Sequence, residues 1–173
     1  MIDNHKLVTL ITEEEIKAAV IKAANDYAKL YENQQLTIVA ELSSTFVFVA
    51  DLIRELPIDV TIQFITRKPG EDHTAKIDLG LTDSLEDKNV LIVCDIFYKG
   101  NALKKTYDLV MAENPKDVKL LSLIDKKSKE KNEELNVESL FKLDDVFIVG
   151  YGLTHNESYR GLKGIYNLQV EEK

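Results

Sequence analysis

The sequence predicts an α/β fold in which a mostly parallel, twisted sheet is flanked by helices. Short apolar runs at 36–42, 89–96 and 117–125 alternate along the chain with segments of helical periodicity. These runs are apolar on both faces, which is typical of strands covered by helices on both sides. Ligands of such a sheet bind beyond the carboxyl ends of its strands. The functional residues are therefore expected where these runs end.

The first half of the chain begins with a clear helix signal. Thr12 and Glu15 have the spacing of a capping box, and apolar residues then recur at helical spacing, which predicts a helix over 13–31. The elements expected next are a strand at 36–42, a helix at 45–57 and a strand at 59–66. The polar segment 67–76 contains Pro69 and Gly70 and predicts a loop or a mobile arm.

The second half continues the same alternation. The elements expected there are a strand at 89–96, a helix at 101–115, a strand at 117–125 and a strand at 144–153. The length of 173 residues fits a single domain over 1–173, large enough to bury a substantial core.

Composition limits the classes of partner. The formal net charge is −8, which argues against a nucleic-acid binder, although the segment 126–134 is rich in lysine. No run approaches the 18 or so apolar residues of a membrane span, and the first residues do not resemble a signal peptide. The single cysteine, Cys94, excludes an internal disulfide and fits a reducing compartment. We therefore expect a soluble, cytoplasmic protein that binds neither nucleic acid nor membrane.

The most informative stretch is "VLIVCDIFYKGNAL" at 90–103. An apolar strand ends at Asp95, and a turn containing Gly100 then leads into a helix. Backbone N–H groups of such a turn, at the N-terminus of a helix, can hold a phosphate group. The alternative is a plain connection between a strand and a helix.

This stretch resembles the phosphoribosyl-diphosphate motif of the type I phosphoribosyltransferases, and the whole chain resembles the hypoxanthine-guanine phosphoribosyltransferases. Six further stretches carry the resemblance: "LITEEEIKAAV", "SSTFVFVADLIREL", "FITRKPGEDHTAKIDLG", "LEDKNVLIV", "LSLIDKKSK" and "DDVFIVGYGLTHNESYRGLKGIY". It implies the type I phosphoribosyltransferase fold, with a small hood built mainly from about 140–173. It also implies purine salvage, in which the phosphoribosyl group of phosphoribosyl diphosphate passes to hypoxanthine or guanine with the help of magnesium. Family members commonly form homodimers or homotetramers.

The acids of the phosphoribosyl side are largely replaced. The family ends its strand with two adjacent acids that bind the ribose hydroxyls; the second is Asp95 here, which is also the implied magnesium contact, and the first is Cys94. The family's acid for proton transfer falls at Tyr98, which is a poor general base at neutral pH. A further aspartate that helps to hold magnesium falls at Thr154.

The phosphate-binding positions are altered as well. The resemblance assigns the 5′-phosphate to the turn residues Lys99, Gly100, Asn101 and Ala102, of which Gly100 matches the family and Lys99 and Ala102 replace threonines. The diphosphate loop carries Ser43-Ser44 in place of lysine-glycine, and the lid carries Pro69-Gly70 in place of serine-tyrosine. Arg160 matches an arginine near the diphosphate site. Lys68 and Lys99 bring positive charge that could compensate for the lost contacts.

The purine side is better preserved. Lys126 matches the lysine that recognises the exocyclic oxygen, Phe147 the aromatic residue that stacks on the base, and Ile148 the position whose backbone reads the purine edge. Lys126 could instead be a solvated surface charge, and Phe147 could belong to the core. Asp95 could be an acid at the start of a helix turn. Cys94 is interpreted as a small apolar filler.

Three hypotheses of function follow. The first is a purine phosphoribosyltransferase whose transfer is weakened by a diverged donor site. The second is a non-catalytic protein that binds a purine nucleotide or base and regulates or assembles through that binding. The third is a protein whose pocket binds nothing and that retains the fold for assembly alone.

Overall fold

The computed structural model describes residues 5–69, 75–78 and 80–170, with the backbone alone for 67–69 and 75–78. In chain order the elements of this part are β1 (His5–Ile11), α1 (Glu13–Leu30), β2 (Leu36–Glu41), α2 (Leu42–Glu55), β3 (Val60–Pro69), β4 (Ala75–Asp78), β5 (Asn89–Phe97), α3 (Asn101–Met111), β6 (Asp117–Lys126), β7 (Val137–Leu143), β8 (Ile148–Val149) and β9 (Ile165–Val170).

The main sheet confirms the predicted fold class. Its strand order is β4-β3-β2-β5-β6-β7; neighbours from β3 to β7 pair in parallel, and β4 pairs with β3 antiparallel. Helices cover both faces: α1 and α2 contribute to one buried cluster, and α3 contributes to another on the opposite face. Strands β2, β5 and β6 are central and pack against both clusters, which explains why they are apolar on both faces.

The first helix forms as its cap predicts. The backbone N–H of Glu15 donates to Thr12 Oγ1 at 3.2 Å, and the backbone N–H of Thr12 donates to Glu15 Oε2 at 2.8 Å. These two bonds satisfy donors that have no partner inside the helix. The buried face then includes Ile16, Val20 and Tyr27.

Two helix boundaries differ from the prediction. Helix α2 begins at Leu42, not at 45, so Ser43 and Ser44 lie in its first turn and not in a preceding loop. Helix α3 ends at Met111, before 115. The segment 67–76, expected as a loop or arm, is partly strand, because β3 continues to Pro69 and β4 begins at Ala75. The rest of that segment lies outside the described residues.

The predicted strand at 144–153 is wrong over most of its length. Only Ile148–Val149 is a strand, because Gly150, Tyr151 and Gly152 have φ angles of 99°, 51° and 95° and turn the chain away from an extended path. The strands β1, β4, β7 and β9 were not predicted. Within the described residues no helix is long and apolar enough to cross a membrane.

A second, antiparallel sheet has the order β1-β9-β8. It joins the two ends of the described chain, with His5 opposite Val170. Its residues Ile11, Ile148 and Ile165 are buried in the same cluster as residues of the main sheet. This sheet therefore packs against the main sheet and positions the segment that follows β7.

Candidate functional site

Two adjoining cavities lie at the carboxyl ends of β2, β5 and β6, where the fold class places ligands. Each has a volume of about 300 Å³, and Asp95 and Ile96 line both. We call one the hood-side cavity; its lining includes Ser43, Ser44, Asp95, Lys126, Phe147, Ile148, Thr154 and Arg160. We call the other the turn-side cavity; its lining includes Glu41, Cys94, Asp95, Tyr98, Lys99, Gly100, Asn101 and Ala102. The structure thus brings the expected ribose-, phosphate- and purine-side residues to two adjoining cavities. The expected lid residue Gly70 and the side chains of Lys68 and Pro69 lie outside the described part of the chain.

Gly100 shapes the turn between β5 and α3. It has φ 87° and precedes the first residue of α3, and a Cβ atom there would lie 2.7 Å from Cε2 of Phe97. A side chain at this position would therefore be strained and would clash with the ring. The backbone N–H groups of Asn101 and Ala102, in the first turn of α3, have no acceptor inside the helix. They can bind an anion in the turn-side cavity.

Lys99 is held by the segment that follows β6. Its Nζ lies 2.5 Å from Oε2 of Glu130, and its carbonyl accepts the backbone N–H of Asn132 at 2.8 Å. The hydrogen bond with Glu130 raises the pKa of Lys99 and lowers the pKa of Glu130, so both are charged at neutral pH. The charge of Lys99, expected to face a phosphate, is paired with a carboxylate in this structure.

Asp95 and Cys94 have different environments at the end of β5. Oδ1 of Asp95 accepts the backbone N–H of Ile96 at 2.7 Å, which fixes the carboxylate between the two cavities. The Cys94 side chain packs against the cluster that contains Val39 and Ile92. Burial, followed by the nearby charges of Asp95 and Glu41, raises the pKa of the thiol. These surroundings favour the neutral thiol and support the interpretation of Cys94 as a small apolar filler.

Glu41 was missed by the sequence reasoning. It ends β2 and lines the turn-side cavity together with Asp95. Its Oε1 accepts the hydroxyl of Ser43 at 3.1 Å. The signal was present, since Glu41 is an acid at the end of an apolar strand, just as Asp95 is near the end of β5.

Tyr98, Asp145 and Lys126 form a network at the boundary of the two cavities. The hydroxyl of Tyr98 donates to Oδ2 of Asp145 at 2.6 Å, and Lys126 Nζ lies 3.4 Å from Oδ1 of Asp145. Lys126 Nζ also lies 5.0 Å from the centroid of the Tyr98 ring, a cation–π distance. Asp145 was not singled out from the sequence, because its role depends on a contact between two distant segments.

The hydrogen bond between Tyr98 and Asp145 fixes the protonation of both groups. It raises the pKa of the Tyr98 hydroxyl and lowers the pKa of the Asp145 carboxyl. At neutral pH Tyr98 therefore carries its proton and Asp145 is ionised. Tyr98 is a hydrogen-bond donor here and a weak proton acceptor.

Phe147 and Lys126 both line the hood-side cavity. Half of the Phe147 side chain is exposed, so the ring is not part of the core, and it lines the hood-side cavity. The His155 ring meets it edge-on, with centroids 5.4 Å apart. The Lys126 side chain is only 15% exposed and is paired with Asp145, so it is not a solvated surface charge. Ile148 is buried and its backbone belongs to β8.

Arg160 links the start of α2 to the segment after β8. Its guanidinium donates to the carbonyl of Ser43 at 3.0 Å, to the carbonyl of Gly152 at 2.8 Å and to Glu157 Oε2 at 3.0 Å. Gly152 approaches the same turn, since a Cβ atom there would lie 2.7 Å from the carbonyl oxygen of Ser44. Arg160 therefore fixes the wall of the hood-side cavity where Ser43 and Ser44 lie.

The residues present fit magnesium only together with a ligand. Within the described residues no three side chains of the metal-ligating types are grouped closely enough to hold a metal ion. Magnesium, however, commonly uses one or two carboxylates and completes its shell with water and substrate phosphates. Asp95, with Glu41 in the same cavity, could contact an ion brought by a diphosphate.

A larger cavity of about 580 Å³ lies elsewhere, between α1, α2 and the segment 160–163. Cationic and anionic side chains are mixed in its lining, and the hydroxyl of Tyr151 donates to Asp51 there at 2.6 Å. Of the site residues expected from the sequence, Arg160 alone lines it. The chemistry-bearing groups therefore lie in the two smaller cavities.

The chain is similar to known proteins over nearly its full length. The model of the phosphoribosyl transferase domain matches residues 9–156. A hypoxanthine phosphoribosyltransferase from Haemophilus influenzae is 30% identical over 177 aligned positions, which cover 97% of this chain and 98% of the relative. The crystal structure of a hypoxanthine-guanine phosphoribosyltransferase from Bacillus anthracis matches with a TM-score of 0.85 and 34% identity, covering 96% of this chain and 100% of that one. A hypoxanthine phosphoribosyltransferase variant from Trypanosoma cruzi, complexed with the product IMP, matches with a TM-score of 0.86 and 26% identity, covering 95% of this chain and 90% of that one.

Proposed function

The chain belongs to the hypoxanthine-guanine phosphoribosyltransferase family of purine salvage, and from this premise we propose that it is a weakened enzyme of that family. It transfers the phosphoribosyl group of phosphoribosyl diphosphate to a 6-oxopurine, hypoxanthine or guanine, at a rate limited by its donor site. The observation that carries the proposal is the contrast between the two cavities. The hood-side cavity has the base-binding residues that the resemblance implies, whereas in the turn-side cavity Tyr98 stands at the position of the proton-transfer acid.

The hood-side cavity supports base binding. The half-exposed ring of Phe147 offers a flat apolar surface on which a purine can stack. Lys126 is held close to it and can donate a hydrogen bond to an exocyclic oxygen. Ile148 would contribute its backbone groups at the edge of the base.

The turn-side cavity supports binding of the donor in an altered form. Backbone N–H groups of Asn101 and Ala102 would bind the 5′-phosphate, and Asp95 would bind the ribose hydroxyls. The first-turn N–H groups of Ser43 and Ser44 would face the diphosphate. Magnesium, when bound to the diphosphate, would neutralise part of its charge, with Asp95 as its contact in the protein.

Proton transfer is the step expected to be slow. When a ring nitrogen of a neutral purine bonds to C1′ of ribose, the C1′–O bond to diphosphate breaks, diphosphate leaves, and the purine must lose a proton. Tyr98 stands where the resembled family has an acid, and its hydroxyl is protonated and bonded to Asp145. Loss of a general acid–base group typically lowers a rate by about 10²–10⁴-fold. We therefore expect slow transfer with nearly normal nucleotide binding.

The second candidate is a non-catalytic protein that binds purine nucleotides. It is favoured by the same contrast, since replacement of acids and turn hydroxyls falls on the phosphoribosyl side alone. We further propose that the protein lies in the cytoplasm and forms a homodimer or homotetramer. The exposed side chains of Leu42 and Phe46 on α2 and Phe64 on β3 support self-association.

Isothermal titration with IMP, GMP and phosphoribosyl diphosphate, each with and without magnesium, separates the candidates. We expect both nucleotides to bind, and the donor to bind in a magnesium-dependent way that Asp95→Asn weakens. A sensitive assay of IMP formation should then detect slow turnover. If the nucleotides bind and the donor does not, the enzyme proposal is wrong and the nucleotide-binding candidate replaces it. If none of the three binds, both are wrong.

A further inference from the structure

We propose that Asp145 is a positioning residue that makes the hood-side cavity select a 6-oxopurine over a 6-aminopurine. Its carboxylate holds Lys126 and Tyr98 in one arrangement. In that arrangement the N–H bonds of the Lys126 ammonium group face the edge of the bound base. This inference rests on the base-binding part of the proposed function and does not require that transfer occurs.

Asp145 binds both of its partners at once. Oδ2 accepts the hydroxyl of Tyr98 at 2.6 Å, while Oδ1 lies 3.4 Å from Lys126 Nζ. Each carboxylate oxygen of Asp145 therefore contacts a different partner, and the hydrogen bond from Tyr98 restrains the carboxylate. A lysine has a flexible side chain whose rotamers must be restricted before its ammonium group can discriminate between ligands.

The charged residues next to Tyr98 and Asp145 in the sequence pair with other side chains. Lys99, next to Tyr98, pairs with Glu130 at 2.5 Å. Asp144, next to Asp145, lies 3.9 Å from Lys127, and both of those side chains are more than 80% exposed. The Lys126 side chain is only 15% exposed, and an ammonium group partly shielded from water is stabilised by a counter-charge. Asp145 supplies that counter-charge.

In the network of Tyr98, Asp145 and Lys126, it is clear which groups donate hydrogen bonds and which accept them. The single O–H of Tyr98 is used by Asp145, and the ammonium group of Lys126 can only donate. With one side of that group held by Asp145, its remaining N–H bonds can be directed at a base stacked on Phe147. A keto oxygen at the purine 6-position accepts such a bond, whereas an amino group would leave a buried donor without a partner.

The expected preference is substantial. A site built to hydrogen-bond a ligand group discriminates strongly against an analogue that cannot make the bond, because its own polar groups then remain unpaired. We expect IMP to bind at least about tenfold more tightly than AMP, which corresponds to one well-formed hydrogen bond. The two nucleotides have the same phosphate and ribose. A substitution that changes the overall charge of the site therefore affects both dissociation constants alike and leaves their ratio unchanged.

The test is the ratio of the dissociation constants of AMP and IMP, measured by isothermal titration on the full chain. Asp145→Asn should lower the ratio at least about fivefold, mainly by weakening IMP binding. Tyr98→Phe keeps the ring beneath Lys126 and removes the hydroxyl, so the ratio should fall in the same direction. Asp144→Asn is the matched control and should leave the ratio unchanged. Thermal unfolding of each variant verifies that the fold is retained.

Three results would count against the inference, and a fourth would separate it from the proposed transfer. An unchanged ratio in Asp145→Asn with a retained fold would show that Asp145 does not direct the base preference. A wild-type protein that binds AMP as tightly as IMP, or binds neither nucleotide, would overturn the inference as well. A clear preference for IMP that Asp145→Asn reduces, in a protein without turnover, would support the inference and refute the proposed transfer.

Discussion

Tyr98 shows how much a single side chain can change a site. It stands at the position where the resembled family has an acid, yet its hydroxyl is bonded to Asp145 and keeps its proton. The backbone around it has the expected form, since β5 leads through a turn containing Gly100 into α3. The chemical difference therefore lies in the side chain and not in the fold.

Tyr98→Asp should increase the rate of transfer. A carboxylate at this position accepts a proton more readily than a phenol, and the gain expected from restoring a general base is at least about tenfold in kcat. Lys126, within 5.0 Å of the present ring centroid, would offset the repulsion between the new carboxylate and Asp145. IMP formation measured under saturating substrates tests this.

Tyr98→Phe serves as the control for that experiment. It also removes the phenol but supplies no base, so it should not raise kcat. If both variants are as slow as the wild type while phosphoribosyl diphosphate still binds, proton transfer is not the limiting step.

At the scale of elements, the start of α2 is fixed from outside the helix. Gly152 packs against the carbonyl of Ser44, and Arg160 donates to the carbonyl of Ser43. The segment after β8 thus sets the position of a helix that begins more than a hundred residues earlier. This contact determines the wall of the hood-side cavity.

Gly152→Ala should destabilise the protein by about 1–3 kcal/mol, because it combines a strained φ with a close contact. The new Cβ would lie 2.7 Å from the Ser44 carbonyl oxygen at a φ of 95°. Urea denaturation monitored by circular dichroism measures the change. Gly161→Ala is the control, since nothing lies within 4 Å of a Cβ built there. Equal stability of the two variants would contradict this account.

At the scale of the whole molecule, one buried cluster holds both sheets and two helices together. It includes Ile16 of α1, Phe48 of α2, Ile38 of β2 and Ile165 of β9. A cavity made in this cluster would therefore remove packing contacts from both sheets and both helices.

Phe48→Ala should lower the free energy of unfolding by about 3–5 kcal/mol, the usual cost of truncating a buried phenylalanine. The Phe48 side chain is 0% exposed. Phe46→Ala, two residues earlier in α2 and 42% exposed, should cost much less in the monomer. Chemical denaturation at low protein concentration compares the two. A similar loss for both would mean that Phe46 is also buried in solution.

The sequence predicted those parts of the fold that depend on local patterns. The Thr12–Glu15 cap and the central apolar strands were visible because capping and burial on both faces leave a local signature. Strand β7 was missed because it lies at the edge of the sheet and mixes polar with apolar residues. Strand β1 was missed because its partner β9 lies far away in the chain.

The candidate site also has features that could be predicted from the sequence and features that could not. The rule that ligands bind at strand ends placed Asp95 and Lys126 correctly near one another. The pairings of Lys99 with Glu130 and of Tyr98 with Asp145 could not be predicted, because each joins side chains of separate segments. Such contacts depend on how the loops meet above the sheet, and no spacing in the sequence encodes that.

The pairing of β1 with β9 also affects how this protein is made. On a ribosome the segment His5–Ile11 is synthesised well before Ile165–Val170, to which it pairs. Closing so long a loop is entropically costly, and contacts of this kind form late in folding. The parallel sheet can assemble while the chain is still growing. Until Ile165–Val170 is made, the backbone groups of His5–Ile11 that pair with it lack these partners, and unpaired strand edges are prone to association with other chains.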